Sequence, residues 1–450
     1  MTDCDLLIIG ASTTGAYLGA LAARKGLRVV ICDKSPEDKI GSKYDIFHIE
    51  AKEFRELGLP RPTSSDPEWA FEFGRNYNAS PSDRFAAYAY NPTVGLHMHD
   101  YTLLLCREAQ KAGAEIRFGS SFKKLVVRDG TVRGAVFVSA NGEEEIAASV
   151  VADCSGIPAA ARSSLPASLG METFVPGGSD MFYVVLRYVT IKDPADYLAG
   201  SSRFWAFYKS WIAPCADPHG AIIGIGACHG YDRAEKIYAS MLEHVRLPEH
   251  DVVRVERACT PYTRPPYTLV TDGFIACGDA ACLTKPLNGE GVTSSMYHAR
   301  IAAEVVSVAV RRGDCSKESL WQINDLYNRI QGADFSSTRA LMTGIVNAAT
   351  FDEFEFAFSS GIISNELLSG GSSGAGLGLS PAVLASAAAK LVYGAASKKI
   401  SRSTLAAAGK ALSVSSRIKQ HYLDFPKTPE GFTEWCAKAD LLWDEAGKMD

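Results

Sequence analysis

The sequence holds no run of basic residues, no CxxC pair, no HxxxH pair and no stretch of about 18 consecutive apolar residues. Each absence excludes something. With no basic run and a net charge of −5, nucleic acid is not an expected partner. The 11 cysteines and nine histidines show no metal-ligand spacing, so no metal site is expected, and scattered thiols fit a reducing compartment. No segment reads as a membrane span. "MTDCDLLIIG" also lacks the positive leader and cleavage site of a secretory signal, so the expected location is the cytoplasm.

What is present suits a folded protein of two or three domains: 450 residues, 47% hydrophobic and 22% charged. Residues 5–9 read as a buried strand, and "AYLGALAARKG" as a helix closing at Gly26. "LRVVICD", at 27–33, reads as a second strand, which completes a βαβ unit. A helix, a strand, a β-meander and a further apolar strand are expected from "DYTLLLC" to "VVADCSG". Residues 175–265 carry the β-branched and aromatic pattern of a mainly antiparallel sheet. "GFIACGD" reads as a short strand and "VTSSMYHARIAAEVVSVAVRR" as a long helix. A Gly/Ser-rich connector at 367–380 then precedes Ala-rich helical segments.

"GASTTG", at 10–15, sits at the strand-to-helix turn of the βαβ unit. In such a turn the first glycine permits the bend, the second lets backbone approach a pyrophosphate, and the third lets helix and strand pack closely. Gly10 and Gly15 hold the first and third places. Ser12 holds the second, where its hydroxyl can donate to a phosphate oxygen. Asp33, at the end of the second strand, is placed to hold ribose hydroxyls.

Far downstream, "CGDAACLTKPLNGEG" at 277–291 places Gly278-Asp279 at a strand end, then a Pro/Gly loop and a helix. Asp279 can accept hydrogen bonds from polyol hydroxyls. Gly289 and Gly291 allow backbone near a flat ring, and the amides of Val292 and Thr293 point at negative charge from a helix N-terminus. That arrangement favours a reduced flavin. "GIGACHG", at 224–230, offers a second glycine fingerprint, but it lies in β-patterned sequence with no suitable helix expected after it, so a structural role is expected.

GASTTG with Asp33, "VVADCSG" and "PLNGEG" together resemble the p-hydroxybenzoate-hydroxylase-like FAD proteins, and within them the geranylgeranyl reductase family. The resemblance spans residues 4–310 and implies an α/β fold: a Rossmann-type FAD-binding domain, an inserted antiparallel β-sheet substrate domain and a helical C-terminal region. The implied division is 1–75, 96–165 and 266–335 for FAD, 76–95 and 166–265 for substrate, and 336–450 for the helices. Around FAD it implies Gly10, Ser12, Gly15, Asp33, Asp279, Pro286, Gly289, Glu290 and Gly291. Thr14, Lys34, Gly278, Val292 and Thr293 join them as expected cofactor contacts.

Three departures bear on the substrate. "KIGSKYDIFHIE" lacks the family's Cys-Gly motif. Met98, flanked by His97 and His99, stands where many relatives have an FAD-contacting arginine, and either histidine is a candidate replacement. The family's Y-x-W-x-F-P survives in part as "YKSWIAP", which keeps Trp211 and Pro214.

Aromatic residues crowd the expected substrate sheet. Tyr208 and Trp211 are expected to line the cavity, with Tyr208 the candidate proton donor. Such a pocket implies an apolar substrate: a prenyl, polyketide or steroid-like compound. The leading expectation is therefore an FAD-dependent reductase of carbon–carbon double bonds, with NAD(P)H or a small redox protein as electron donor. The alternatives are an FAD-dependent monooxygenase using NAD(P)H and oxygen, and a non-catalytic flavin-binding protein. A halogenase is disfavoured because W-x-W-x-I-P is missing. The Ala-rich C-terminal helices are expected to pack on the body or on a second subunit, with peripheral contact to a membrane as the alternative. The oligomeric state is left open.

Overall fold

A computed structural model describes residues 3–42, 44–192, 200–346, 348–371 and 381–448. Part of the expected Gly/Ser connector, 372–380, lies outside the described residues; its first part belongs to the helix Asn365–Gly371.

The first sheet grows from the strand Cys4–Ile9, which runs parallel between Val29–Cys32 and the end of Gly142–Asp153. Leu6, Leu7 and Ile8 are fully buried, in a core built by this sheet, the helices Thr13–Arg24, Met98–Lys111 and Val292–Arg312, and the strand Thr131–Ser139. The helix Thr13–Arg24 lies so close on this sheet that a Cβ at Gly19 would stand 2.5 Å from Cδ1 of Ile31. Phe274–Ala276 extends the sheet parallel to Gly142–Asp153, and Glu115–Arg117 extends its other edge. The hairpin Ser121–Arg128 and Thr131–Ser139 pairs with the first half of Gly142–Asp153, as the expected meander requires.

The second sheet has eight strands, in the order His250–Pro261, Met181–Ile191, Gly220–Cys228, Ser210–Pro214, Ser201–Trp205, Trp69–Ala79, Ala86–His97 and Ile46–Glu50. All neighbours are antiparallel except Ser201–Trp205 with Trp69–Ala79. The sheet therefore takes in residues well before 76, and the expected division at 75/76 falls inside the strand Trp69–Ala79. The first five residues of "GIGACHG" lie in Gly220–Cys228, which pairs antiparallel with Met181–Ile191 and with Ser210–Pro214. One expectation there is corrected: a helix, Tyr231–Leu242, does follow. The structural reading of the glycines still holds, because parallel pairing is missing and two of them seat aromatic rings. A Cβ on Gly224 would stand 2.1 Å from the Trp211 indole, and one on Gly226 would stand 2.1 Å from the Phe182 ring.

Of the C-terminal helices, Arg402–Leu423 and Phe432–Gly447 pack on the body. Val414, Ile418, Tyr422 and Trp435 join the core of the first sheet's layer. Ser415 donates to the Ser337 carbonyl at 2.9 Å, and the Trp321 indole donates to the Pro426 carbonyl at 2.8 Å. Among the described residues, no helix is long and apolar enough to cross a membrane.

Candidate active site

Gly10 has φ +106, and a Cβ there would stand 2.4 Å from the Cys154 carbonyl oxygen, so only glycine lets the two strand ends approach. A Cβ on Gly15 would stand 1.9 Å from the Gly10 carbonyl oxygen, so the helix rests directly on the turn. Ser12 caps that helix in extended backbone, yet its side chain makes no capping hydrogen bond, and it is exposed. Its hydroxyl is thus open to an incoming ligand. The Asp33 carboxylate accepts from the Ala11 amide at 2.8 Å and from Ser35 at 2.7 Å, which fixes it at the mouth of the turn. Lys34 is exposed beside it.

The downstream loop closes on this cradle. Gly278 has φ +63, and a Cβ there would stand 3.1 Å from the hydroxyl of Thr14, so residues 264 positions apart in the chain meet. Thr284 donates to Asp279 at 3.4 Å and shares a 2.8 Å hydrogen bond with Thr260 of the second sheet. Pro286 is buried, and the Lys285 amide donates to the Glu290 carbonyl at 2.8 Å, which tightens the Pro/Gly loop. Gly291 precedes the 21-residue helix Val292–Arg312, whose first-turn amides, Val292 and Thr293 included, have no acceptor within the helix. Glycines with left-handed or crowded backbone, two helix N-termini and a fixed carboxylate converge here, as a dinucleotide requires. The residues expected around FAD fit it, and bound FAD would supply the hydride chemistry.

Two buried groups hold the floor: Arg162, which the sequence reading missed, and Asp153 of "VVADCSG". Arg162 is fully buried. Its guanidinium donates to the carbonyls of Ala280 (2.6 Å), Glu172 (2.6 Å) and Phe174 (2.7 Å). Asp153 accepts from the amides of Ser155, Ala161 and Arg162 at 2.7 to 3.1 Å, so the "DCSG" aspartate is a turn anchor.

The segment that replaces the Cys-Gly motif is held from below. Gly41 packs on the helix Met98–Lys111, where a Cβ would stand 2.7 Å from the Thr102 hydroxyl. His97 pairs with Asp45 at 2.8 Å, and this hydrogen bond, followed by that of Arg254, keeps the carboxyl below its usual range. His99 contacts the Ile40 carbonyl at 2.6 Å, and Met98 is buried. Both histidines thus have a ring nitrogen engaged within the protein, in the segment that positions Tyr44 and His48. Burial, then the charge of Asp279, pushes the Tyr44 hydroxyl up. Burial pushes His48 down to about 4, and its ring lies edge-on to Phe71 and Phe73. Glu53 follows, with its carboxyl pushed up to about 8 by burial and then by the charges of Glu290 and Glu50. Thr293 donates to Glu290 at 3.1 Å and also reaches Glu53. Glu53 escaped the sequence reading because its partner lies far along the chain.

The second sheet presents an aromatic face beside the loop. Phe71, Phe73, Tyr188 and Trp211 form one cluster, and Phe204 stacks on Trp211 at 6.3 Å. Phe182 joins this face to the cofactor loop, its ring 3.9 Å from where a Gly289 Cβ would stand. Tyr208 lies elsewhere. It belongs to the cluster against the helix Tyr231–Leu242, where burial pushes its hydroxyl up to about 12. The expectation that Tyr208 and Trp211 share a cavity is not met: they lie in separate clusters.

The comparisons agree with this geometry. The FAD binding domain family matches residues 3–203. A digeranylgeranylglycerophospholipid reductase of Sulfolobus acidocaldarius is 27% identical over 461 residues, covering 99% of this chain and 98% of its own length. A geranylgeranyl bacteriochlorophyll reductase-like structure from Thermoplasma acidophilum superposes with a TM-score of 0.72 at 17% identity, over 88% of this chain and 99% of its own. A flavin-dependent brominase superposes less closely, with a TM-score of 0.57 at 18% identity over 79% of this chain and 87% of its own, so the fold is shared across reaction types. The cradle, the distant Pro/Gly loop and the full-length match make the chain similar to the geranylgeranyl reductase-like FAD-dependent oxidoreductases.

Proposed function

We propose that this enzyme reduces carbon–carbon double bonds in the polyprenyl chains of a membrane lipid. The observation that carries the reading is the aromatic face that begins at the cofactor loop, where Phe182 meets Gly289, and runs through Trp211 and Phe71. An isolated alkene being saturated passes through a cation-like state, which ring faces stabilise. The same rings exclude water and hold an apolar chain. A polar-lined cavity would suit hydroxylation of an activated aromatic ring better.

Proton supply falls to this side of the sheet. The Tyr208 hydroxyl lies in the other cluster, whereas the Glu53 carboxyl, protonated at neutral pH, adjoins Glu290 in the cofactor loop. We assign Glu53 as a proton reservoir for this loop. Electrons come from outside the chain, through transient NAD(P)H or a small redox protein. A lipid substrate implies that the protein works at the cytoplasmic face of a membrane as a peripheral protein.

Anaerobic reduction of the bound flavin, followed by addition of a geranylgeranyl lipid, tests the reading: reoxidation with a saturated product is expected. Substrate-stimulated NAD(P)H oxidation that places oxygen in the product would overturn it in favour of a monooxygenase.

A further inference from the structure

The helix Pro381–Ala396, "PAVLASAAAKLVYGAA", has one charged residue in 16. A helix on a protein surface normally turns polar residues outward. Here the outward face is apolar apart from Ser386. Ala382, Ala385, Ala389, Val392, Tyr393 and Ala396 are exposed and follow helical spacing down one side, with Val392 and Tyr393 each 65% exposed. The inward side is occupied: Lys390 donates to the Gly361 carbonyl at 2.7 Å, and a Cβ on Gly394 would stand 2.6 Å from the Phe356 ring. The apolar stripe therefore cannot be buried by turning the helix over without breaking those contacts.

Charge says what covers it. From Leu367 to Leu423 the sequence has no aspartate or glutamate, in a chain whose net charge is −5. Every charged group there is basic. Arg417 and Lys419 are paired with Glu445 and Asp334. Lys398, Lys399, Arg402 and Lys410 are exposed and form no ion pair with a described carboxylate. Three of these four lie within six residues of the helix's last residue, so cations flank the apolar stripe. A second copy docked symmetrically through this face would bring the same cations together and be repelled. At about 24 Å, the helix is too short to cross a bilayer of about 30 Å. Apolar stripe and cations together make the two signals that hold a helix in the plane of an anionic lipid surface.

We propose that the helix Pro381–Ala396 and the cations Lys398, Lys399 and Arg402 dock the enzyme on an anionic phospholipid bilayer. The inference extends the lipid-substrate reading and names the surface by which the enzyme reaches its substrate.

The test uses the full-length, FAD-loaded protein and vesicles of phosphatidylcholine alone or mixed with phosphatidylglycerol. Sedimentation with the mixed vesicles at low salt is expected, with release at high salt and little binding to phosphatidylcholine. Each cation contributes about fivefold to binding, so K398E/K399E/R402E is expected to weaken it by at least about a hundredfold. V392D/Y393D is expected to weaken it with the cations intact. Flavin content and thermal midpoint report that each variant is folded, and K398Q/K399Q repeats the test with a milder change. Wild type that stays in solution with the mixed vesicles, or variants that bind as wild type does, would overturn the proposal. So would light scattering showing a dimer that V392D/Y393D dissociates. Turnover of a short, soluble polyprenyl alcohol is read separately and is unchanged in these variants, so failure of docking is distinguishable from failure of the reductase reading.

Discussion

Trp211 lies over Gly224, so close that a Cβ on the glycine would stand 2.1 Å from the indole. The strand pairing sets them opposite each other, and the missing side chain is the seat of the ring. Two variants therefore share one expected phenotype. Trp211→Ala removes the ring and Gly224→Val pushes it off its seat, and each is expected to slow reoxidation of reduced flavin by a polyprenyl substrate by on the order of tenfold. Tyr208→Phe is expected to leave that rate unchanged, because its hydroxyl lies in the other cluster. Stopped-flow absorbance of the flavin reads all three, and a slow Tyr208→Phe enzyme would refute the separation of roles.

Gly15→Val is expected to abolish flavin binding. Even its Cβ would overlap the Gly10 carbonyl, at 1.9 Å, so the helix must leave the turn. Ser12→Gly is expected to retain flavin, because Ser12 holds no hydrogen bond that caps the helix. The ratio of flavin to protein absorbance in purified material decides it, and a fully yellow Gly15→Val protein contradicts the cradle.

Arg162→Met is expected to destabilise the fold by about 3 to 5 kcal/mol, since three buried carbonyls lose a charged donor together. Arg162→Lys recovers only part, because an ammonium cannot reproduce the planar fork. Urea unfolding gives the difference; a Met variant as stable as wild type would show those carbonyls to be satisfied by other means.

Glu53 sets a pH dependence. Its folded carboxyl titrates at about 8, above the 4.5 of an unperturbed glutamate, with burial the main cause. A raised acid keeps its proton in the fold after the unfolded chain has lost it. Its effect on stability is therefore absent below about pH 4.5, grows unfavourable as pH rises, and is complete above about pH 8. Glu53→Gln keeps the acceptor oxygen for the Glu50 amide and removes the titration. The wild type's thermal midpoint is expected to fall between pH 5 and 8 by an amount worth on the order of 3 kcal/mol, and the variant's to stay flatter. Equal slopes in calorimetry would place the proton elsewhere.

Much of the cofactor site was legible because its signals are local. A strand, a glycine turn and a helix within about 30 residues form a βαβ unit wherever they occur. Gly10, Gly15 and Asp33 thus stand where their spacing put them, and Gly278 meets Thr14 as the paired motifs implied. The second sheet was legible as a sheet from its β-branched and aromatic pattern, but its reach back to Ile46–Glu50 was not, since an edge strand of five residues has no pattern of its own.

By itself the sequence determined the cofactor, the two sheets and the resemblance to the geranylgeranyl reductases, all properties of residues close along the chain or of motifs with one geometry. The tertiary structure decided which aromatic side chains share a face. Tyr208 and Trp211 are three residues apart, but a short turn with Lys209 in left-handed backbone comes between them and carries one to each cluster. It also decided that Glu53 meets Glu290, and that one Ala-rich helix turns its apolar stripe outward while the next packs inward. Strand pairing and helix docking bring residues together across hundreds of positions, and no local period records which face will be covered.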